Sequence, residues 1–192
     1  MSHFWLRTGL AFIIIIASAC GPPSGPVEIP AEDVPFSLRR PRGAARAASE
    51  KEKFHVFFVR ERRLAAVRRM SSSDGSGVRA TMRALLEGPT LNEREERMRS
   101  EIPSRTSLLG VRVVNFVAEV DLSAEFQTPA PPDAVLLRVA QVVWTLVRLP
   151  NVTAVRFLID GEPISVVTDD RTVVDRPVTA PDYSTVAPRE AE

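Results

Sequence analysis

The apolar positions of this chain come in blocks whose spacing changes from one block to the next. The first block, Thr8 to Ala19, is continuous and twelve residues long. As a helix it reaches roughly 18 Å, short of the ~30 Å of a bilayer's hydrocarbon core. Residues 21–52 follow with few large apolar side chains and five prolines before Phe36. In "KFHVFFVRERRLAAVRRM", Phe54, Val56 and Phe58 alternate with His55, Phe57 and Val59, which predicts a strand with apolar character on both faces, and Leu64 to Met70 returns as its hairpin partner. "SSSDGSG" is a loop and helix start rich in capping residues. Val78, Met82, Leu85 and Leu86 then mark one helical stripe, closed at Gly88 and Pro89. "LNEREERMRS" mixes both charge signs on a short, solvated helical stretch. "SLLGVRVVNFVAEVDLS" predicts two strands around Asn115. The longest helix is predicted over "PPDAVLLRVAQVVWTLVRLPN", with Val135, Val139, Val142, Val143 and Leu146 as its buried stripe. "VTAVRFLIDGEPISVV" is a hairpin with Asp-Gly as the turn.

These elements run ββ-α-ββ-α-ββ. The predicted fold class is α+β: a mostly antiparallel sheet with two helices packed on one face. Residues 53–168 make one domain, large enough to bury a core without disulfides or metal. Residues 169–192 read as an acidic, partly disordered tail. From Asp160 onward there are eight acidic residues and three basic ones, whereas the region before Ser71 is basic.

Charge and composition then exclude several roles. The net charge is +1, and removing residues 1–19 takes away only Arg7 among the charged side chains, leaving a balanced chain. Such a balance argues against nucleic acid as a partner. The single cysteine, Cys20, cannot form an internal disulfide in an exported protein.

Residues 1–19 have the layout of a signal peptide: "MSHFWLR" with Arg7, the bulky "GLAFIIII", then small Ala17, Ser18 and Ala19. Cys20 directly after them resembles the lipobox of bacterial lipoproteins, whose cysteine sulfur takes a diacylglyceryl group and becomes the new N-terminus. Ala17 stands where that motif usually has Leu. An ordinary signal peptide with an incidental cysteine is the alternative. On the lipobox reading, Cys20 is the lipidation site, acyl chains such as palmitate hold the protein on the extracytoplasmic face of the cell membrane, and residues 20–52 are a flexible linker with an r.m.s. span of roughly 30 Å.

"MRALLEGPT", "IPSRTSLLGVRVVN", "AEVDLSAEF" and "RVAQVVWTLVRLPNVTAVRFLIDGEPI" together resemble the sporulation and spore germination (GerMN) domain, over roughly Phe54 to Val167. The resemblance implies a non-enzymatic, often lipid-anchored module with a role in envelope assembly, germination or binding of an envelope protein partner. One departure concerns the turn after "GVRV", where the family often has glycine and this chain has Asn115-Phe116. Phenylalanine adopts positive φ poorly, so a longer or different turn is expected there.

The search for chemistry returns little. His55 is the one histidine after cleavage, and its place in an apolar strand favours a structural or edge role over a catalytic triad. One histidine cannot build a zinc site, and no cofactor motif is present. The competing reading is a secreted hydrolase acting on cell-wall polymer through carboxylates, with Asp121, Glu125, Asp160 and Glu162 as candidates. Turn positions account for all four without catalysis. Asp169-Asp170 lacks the oxygen-rich loop that calcium requires. Trp144 with Val142 and Val143 could face a partner, although the helical period favours packing on the sheet. The basic turn Arg60, Glu61, Arg62, Arg63 is the better surface candidate, for anionic headgroups or wall polymers, against the plain alternative of a solvated turn.

Overall fold

The computed structural model describes residues 53–70 and 77–189. The predicted signal peptide, Cys20, the linker and the last three residues lie outside the described residues. Strands β1 (Lys53–Arg60) and β2 (Arg63–Met70) form an antiparallel hairpin in continuous register from Lys53–Met70 to Arg60–Arg63. Its two central turn residues, Glu61 and Arg62, have φ of 51° and 63°. Positive φ at both positions is the primed geometry that matches strand twist. Val56, Phe57, Phe58 and Val59 are all buried, so both faces of β1 are covered, as the uninterrupted apolar run predicts. His55 is exposed.

Helix α1 (Val78–Leu86) buries Met82 and Leu85 completely and leaves Val78 and Leu86 half-buried. Its N-cap is Gly77, with no side-chain cap. The capping residues Ser71, Ser72, Ser73 and Asp74 lie outside the described residues. At the other end Gly88 takes φ 78°, the left-handed position that ends the helix. Helix α2 (Leu91–Glu95) opens with a capping box between Thr90 and Glu93. It has no buried residue, yet the half-buried Glu93 carboxylate receives both Nη groups of Arg69 on β2, at 2.6 and 2.7 Å. The Arg69 hydrogen bond, supported by Thr90, holds Glu93 below the usual carboxylate range. The charged stretch is therefore a clamp on β2 as well as a solvated face.

The remaining strands are β3 (Leu108–Val114), β4 (Val117–Leu122), β5 (Ala154–Ile159), β6 (Glu162–Pro163), β7 (Val166–Val167) and β8 (Val173–Val174). They form a four-stranded sheet, β3-β4-β5-β6, and a separate pair, β7-β8. The fold is α+β, as expected, but the expectation of a single sheet with two helices on one face needs correction. Among the described residues the strands divide into three sheets, and β4 pairs with β5 in parallel. Parallel neighbours need a crossover, and helix α3 (Pro132–Leu146) supplies it.

Helix α3 also departs from the single stripe read in its sequence. Every residue from Leu136 to Val143 is buried, more than two full turns, so no face there is left to solvent. It packs against β1, β2, β5, β7 and the C-terminal 3-10 helix Ala180–Val186. Two polar side chains make this possible. Thr145 Oγ1 accepts from Phe57 N at 3.1 Å, and Gln141 Nε2 donates to Phe57 O at 3.0 Å. Together they satisfy the backbone on the side of β1 that has no strand beside Phe57.

The β3–β4 turn corrects a second expectation. Val114 pairs directly with Val117, leaving only Asn115 and Phe116 between them, at φ 50° and 64°. The turn is therefore the two-residue primed type despite the phenylalanine. Asp160-Gly161 makes the third such turn, as its sequence predicts.

A third correction concerns the tail from residue 169. Over residues 169–189 the chain is packed, not loose. Val178 bridges Val155 of β5 through two backbone hydrogen bonds of 2.8 and 2.9 Å. Tyr183 is fully buried and donates its hydroxyl to Val167 O at 3.1 Å. Burial pushes the Tyr183 phenol well above its ordinary value. Thr179 and Asp182 form a capping box, and Arg176 grips Asp182 with both Nη groups at 3.0 and 2.7 Å.

Candidate functional site

Three of the four carboxylates nominated from sequence gather at one end of the four-stranded sheet. Asp121 sits on β4, and its Oδ1 accepts from Gly161 N at 3.0 Å, which pins the β5–β6 turn. Asp160 and Glu162 flank that glycine and are exposed. Glu125 lies apart, in the 3-10 helix Ala124–Gln127. A hydrogen bond from Ser123 holds its carboxyl below the usual range, the reverse of what a general acid needs. None of the four lines either of the two clefts described below.

Asp169 and Asp170 are also used locally. Asp169 Oδ2 accepts from the Ser184 hydroxyl and Thr185 N, at 3.1 and 3.0 Å. Asp170 Oδ1 accepts from the Thr168 hydroxyl and from Thr172 N. Both fasten the C-terminal segment. Among the described residues there is no cluster of three or more His, Cys, Asp or Glu side chains able to hold a metal ion.

The basic turn is only partly available to a partner. Arg62 is paired with Asp133 in the first turn of α3, and Asp133 also receives Arg171 at 2.7 Å. These contacts, Arg171 foremost, lower the Asp133 pKa. Arg63 Nε donates to Ala187 O at 3.2 Å, tying the hairpin to the C-terminal segment. Arg60 is exposed, and its side chain makes no hydrogen bond or ion pair among the described residues. Beside it is an open cleft of about 290 Å³, bordered by Arg60, Arg63, Leu64, Met98 and Arg189.

Val142 and Val143 are fully buried, so they form no partner-facing patch. Trp144 is half-buried, with its ring centroid 6.0 Å from that of Phe57 and the Arg148 guanidinium 5.2 Å above it. Its Nε1 is buried without a hydrogen-bond partner among the described residues.

The residue that sequence reading missed is Arg138. It is 4% exposed in the middle of α3, between Leu137 and Val139. Nε donates to Glu101 O at 3.0 Å, while Nη1 donates to Phe126 O and, at 3.0 Å, to Thr128 O. Burial lowers its pKa. Arg138 borders a second cleft of about 280 Å³, whose apolar walls come from Phe126, Val135, Val139, Ile164 and Val166. A charged side chain inside an apolar helical run is the one sequence signal for it, and on a helix with one exposed face it would have been surface.

Residues 48–165 match the sporulation and spore germination family, Germane. The chain belongs to that family. The likeness to the GerMN domain read over Phe54 to Val167 rests on the same region. No curated protein matches the chain. Among solved structures, the tandem GerMN domains of the sporulation protein GerM from Bacillus subtilis align at 16% identity with a TM-score of 0.55, covering 69% of this chain and 47% of that one. This chain thus spans about half of that tandem structure. The first GerMN domain of the same protein aligns at 17% identity and TM-score 0.45, over 67% of this chain and 95% of that one. At such identity the tandem structure shows a shared fold. The Germane match ends at residue 165, whereas the packed structure of this chain continues to residue 189. Val166, Val178 and Tyr183, all part of the core, lie beyond it.

Proposed function

We propose that this Germane-family chain is a non-enzymatic, lipid-anchored module on the extracytoplasmic face of the cell membrane, where it binds an envelope protein partner in envelope assembly, sporulation or germination. The observation that carries the reading is the family match over residues 48–165, joined to a signal-peptide pattern that ends on Cys20. Among the described residues, no helix is long and apolar enough to cross a membrane. The nominated carboxylates have structural positions: Asp121 holds a turn, and Glu125 is engaged with Ser123. Lipid on Cys20 fixes the protein at the membrane, and residues 20–52 give the domain reach toward its partner. Arg60 and the cleft beside it offer cationic surface for that contact.

Cell fractionation tests the anchor. Cys20→Ser is expected to move the protein from the membrane fraction to the medium, and a variant that stays membrane-bound refutes lipidation at this site. Cross-linking of the anchored chain followed by mass spectrometry is expected to return one recurrent envelope protein, and labelling with no recurrent partner refutes the binding role.

A further inference from the structure

We propose that the cleft beside Arg138 is a binding site for a small carboxylate with an apolar body, and that Arg138 fixes the carboxylate. The proposal is independent of the envelope role above. An arginine offers five N–H donors. The Glu101, Phe126 and Thr128 carbonyls take Nε and Nη1, and Nη2 makes no hydrogen bond among the described residues. No carboxylate of the described residues comes within ion-pair distance of this guanidinium. The Glu101 carboxylate, whose charge Arg138 feels, is held instead by Arg99 at 2.8 Å. Three carbonyl dipoles and the Phe126 ring, its centroid 5.8 Å from the guanidinium carbon, stabilise the buried cation, but no carboxylate of the described residues pairs with it directly, which is an expensive arrangement in a protein interior.

Nη2 is nevertheless not sealed off. Among the described residues, the fully buried side-chain polar atoms without partners are Thr106 Oγ1 and Trp144 Nε1. Arg138 lines the 280 Å³ cleft, so the cleft supplies the approach to it. That volume is at the small end of ligand pockets. A single positive charge with apolar walls suits one carboxylate on a short hydrocarbon body, since a charge-assisted hydrogen bond would form in a poorly solvated place. A phosphate carries more charge and more acceptors than one guanidinium edge matches. The Thr128 hydroxyl is committed to Glu125 O at 2.7 Å, which leaves the Gln127 and Ser165 side chains as the neutral polar groups on the cleft wall. A purely structural clasp accounts for Nε and Nη1 but not for a free Nη2 beside an apolar cleft.

The test uses the full chain labelled with ¹⁵N, with 3-methylbutanoate as probe and 3-methylbutanamide as its neutral match. The acid is expected to give saturable shifts at the amides of Gln127, Thr128 and Ser165 to Val167, and the amide to bind at least about tenfold more weakly. Ser165 is an exposed residue on the cleft wall. Ser165→Trp is expected to abolish the shifts while leaving the remaining spectrum in place. The proposal is overturned by no saturable response to the acid, by equal responses to acid and amide, or by a folded Ser165→Trp variant that still binds.

Discussion

Gln141→Leu is the sharpest test of how α3 holds the β1–β2 hairpin. Gln141 is fully buried. Its Nε2 donates to Phe57 O at 3.0 Å, and its Oε1 accepts from Glu101 N at 2.8 Å. Leucine keeps the approximate volume and removes both bonds, together with a longer one from Nε2 to Ser100 Oγ at 3.4 Å. Phe57 O is left in the core without its side-chain donor, and orphaning a buried polar group costs about 1–3 kcal/mol. Glu101 N is only partly buried and can recover some hydration, so it adds about 1 kcal/mol. The expected loss is therefore about 2–4 kcal/mol, a large share of the ~5–15 kcal/mol typical of a domain. Urea unfolding followed by far-UV circular dichroism reads it as a lower midpoint at unchanged slope. Thr145→Val removes the bond to Phe57 N and should cost about 1–2 kcal/mol. Because both side chains hold the same residue, the double variant should lose less than the sum, by at least ~0.5 kcal/mol. A loss below about 1 kcal/mol for Gln141→Leu, or strict additivity, would refute the idea that these two side chains act as a surrogate strand for β1.

Three further outcomes follow from other elements. Phe116→Gly should raise stability by about 0.5–1 kcal/mol, because glycine accepts φ 64° without the strain that phenylalanine carries there; thermal melting checks it, and a lower midpoint contradicts it. Asp182 has its pKa lowered from 3.8 to about 2, chiefly by Arg176; its contribution, on the order of 1 kcal/mol once screening of the half-exposed Arg176 is allowed for, is present above about pH 4 and is lost as pH falls toward 2, so Asp182→Asn should flatten the acid limb of stability in that window. Tyr183→Ala should destabilise by about 3–5 kcal/mol in chemical denaturation, a size that a loosely ordered tail could not produce.

Much of the fold is legible because local chemistry and tertiary packing agree. Gly88, the Asp160-Gly161 turn and the strands on either side of Asn115 each appear where the sequence places them. Where they disagree, long-range pairing wins. Asn115-Phe116 is forced into a two-residue turn because Val113 and Val114 are in register with Ala118 and Val117. The parallel β4–β5 pair was hidden because strand direction depends on where the intervening helix carries the chain. Arg138 was hidden for a related reason, since a helix enclosed on all sides has no outer face to which a charge can be assigned. The acidic residues after 168 suggested solvation, yet the Thr179-x-x-Asp182 spacing is itself a capping signal.

The position of Tyr183 and Val178 also sets an order of events. The core that surrounds α3 includes both residues, and both follow β8, the last of the strands described here. A chain emerging from its ribosome lacks these two plugs until residue 183 is free. The α3 core is therefore complete only once the segment after β8 can fold back onto strands made earlier.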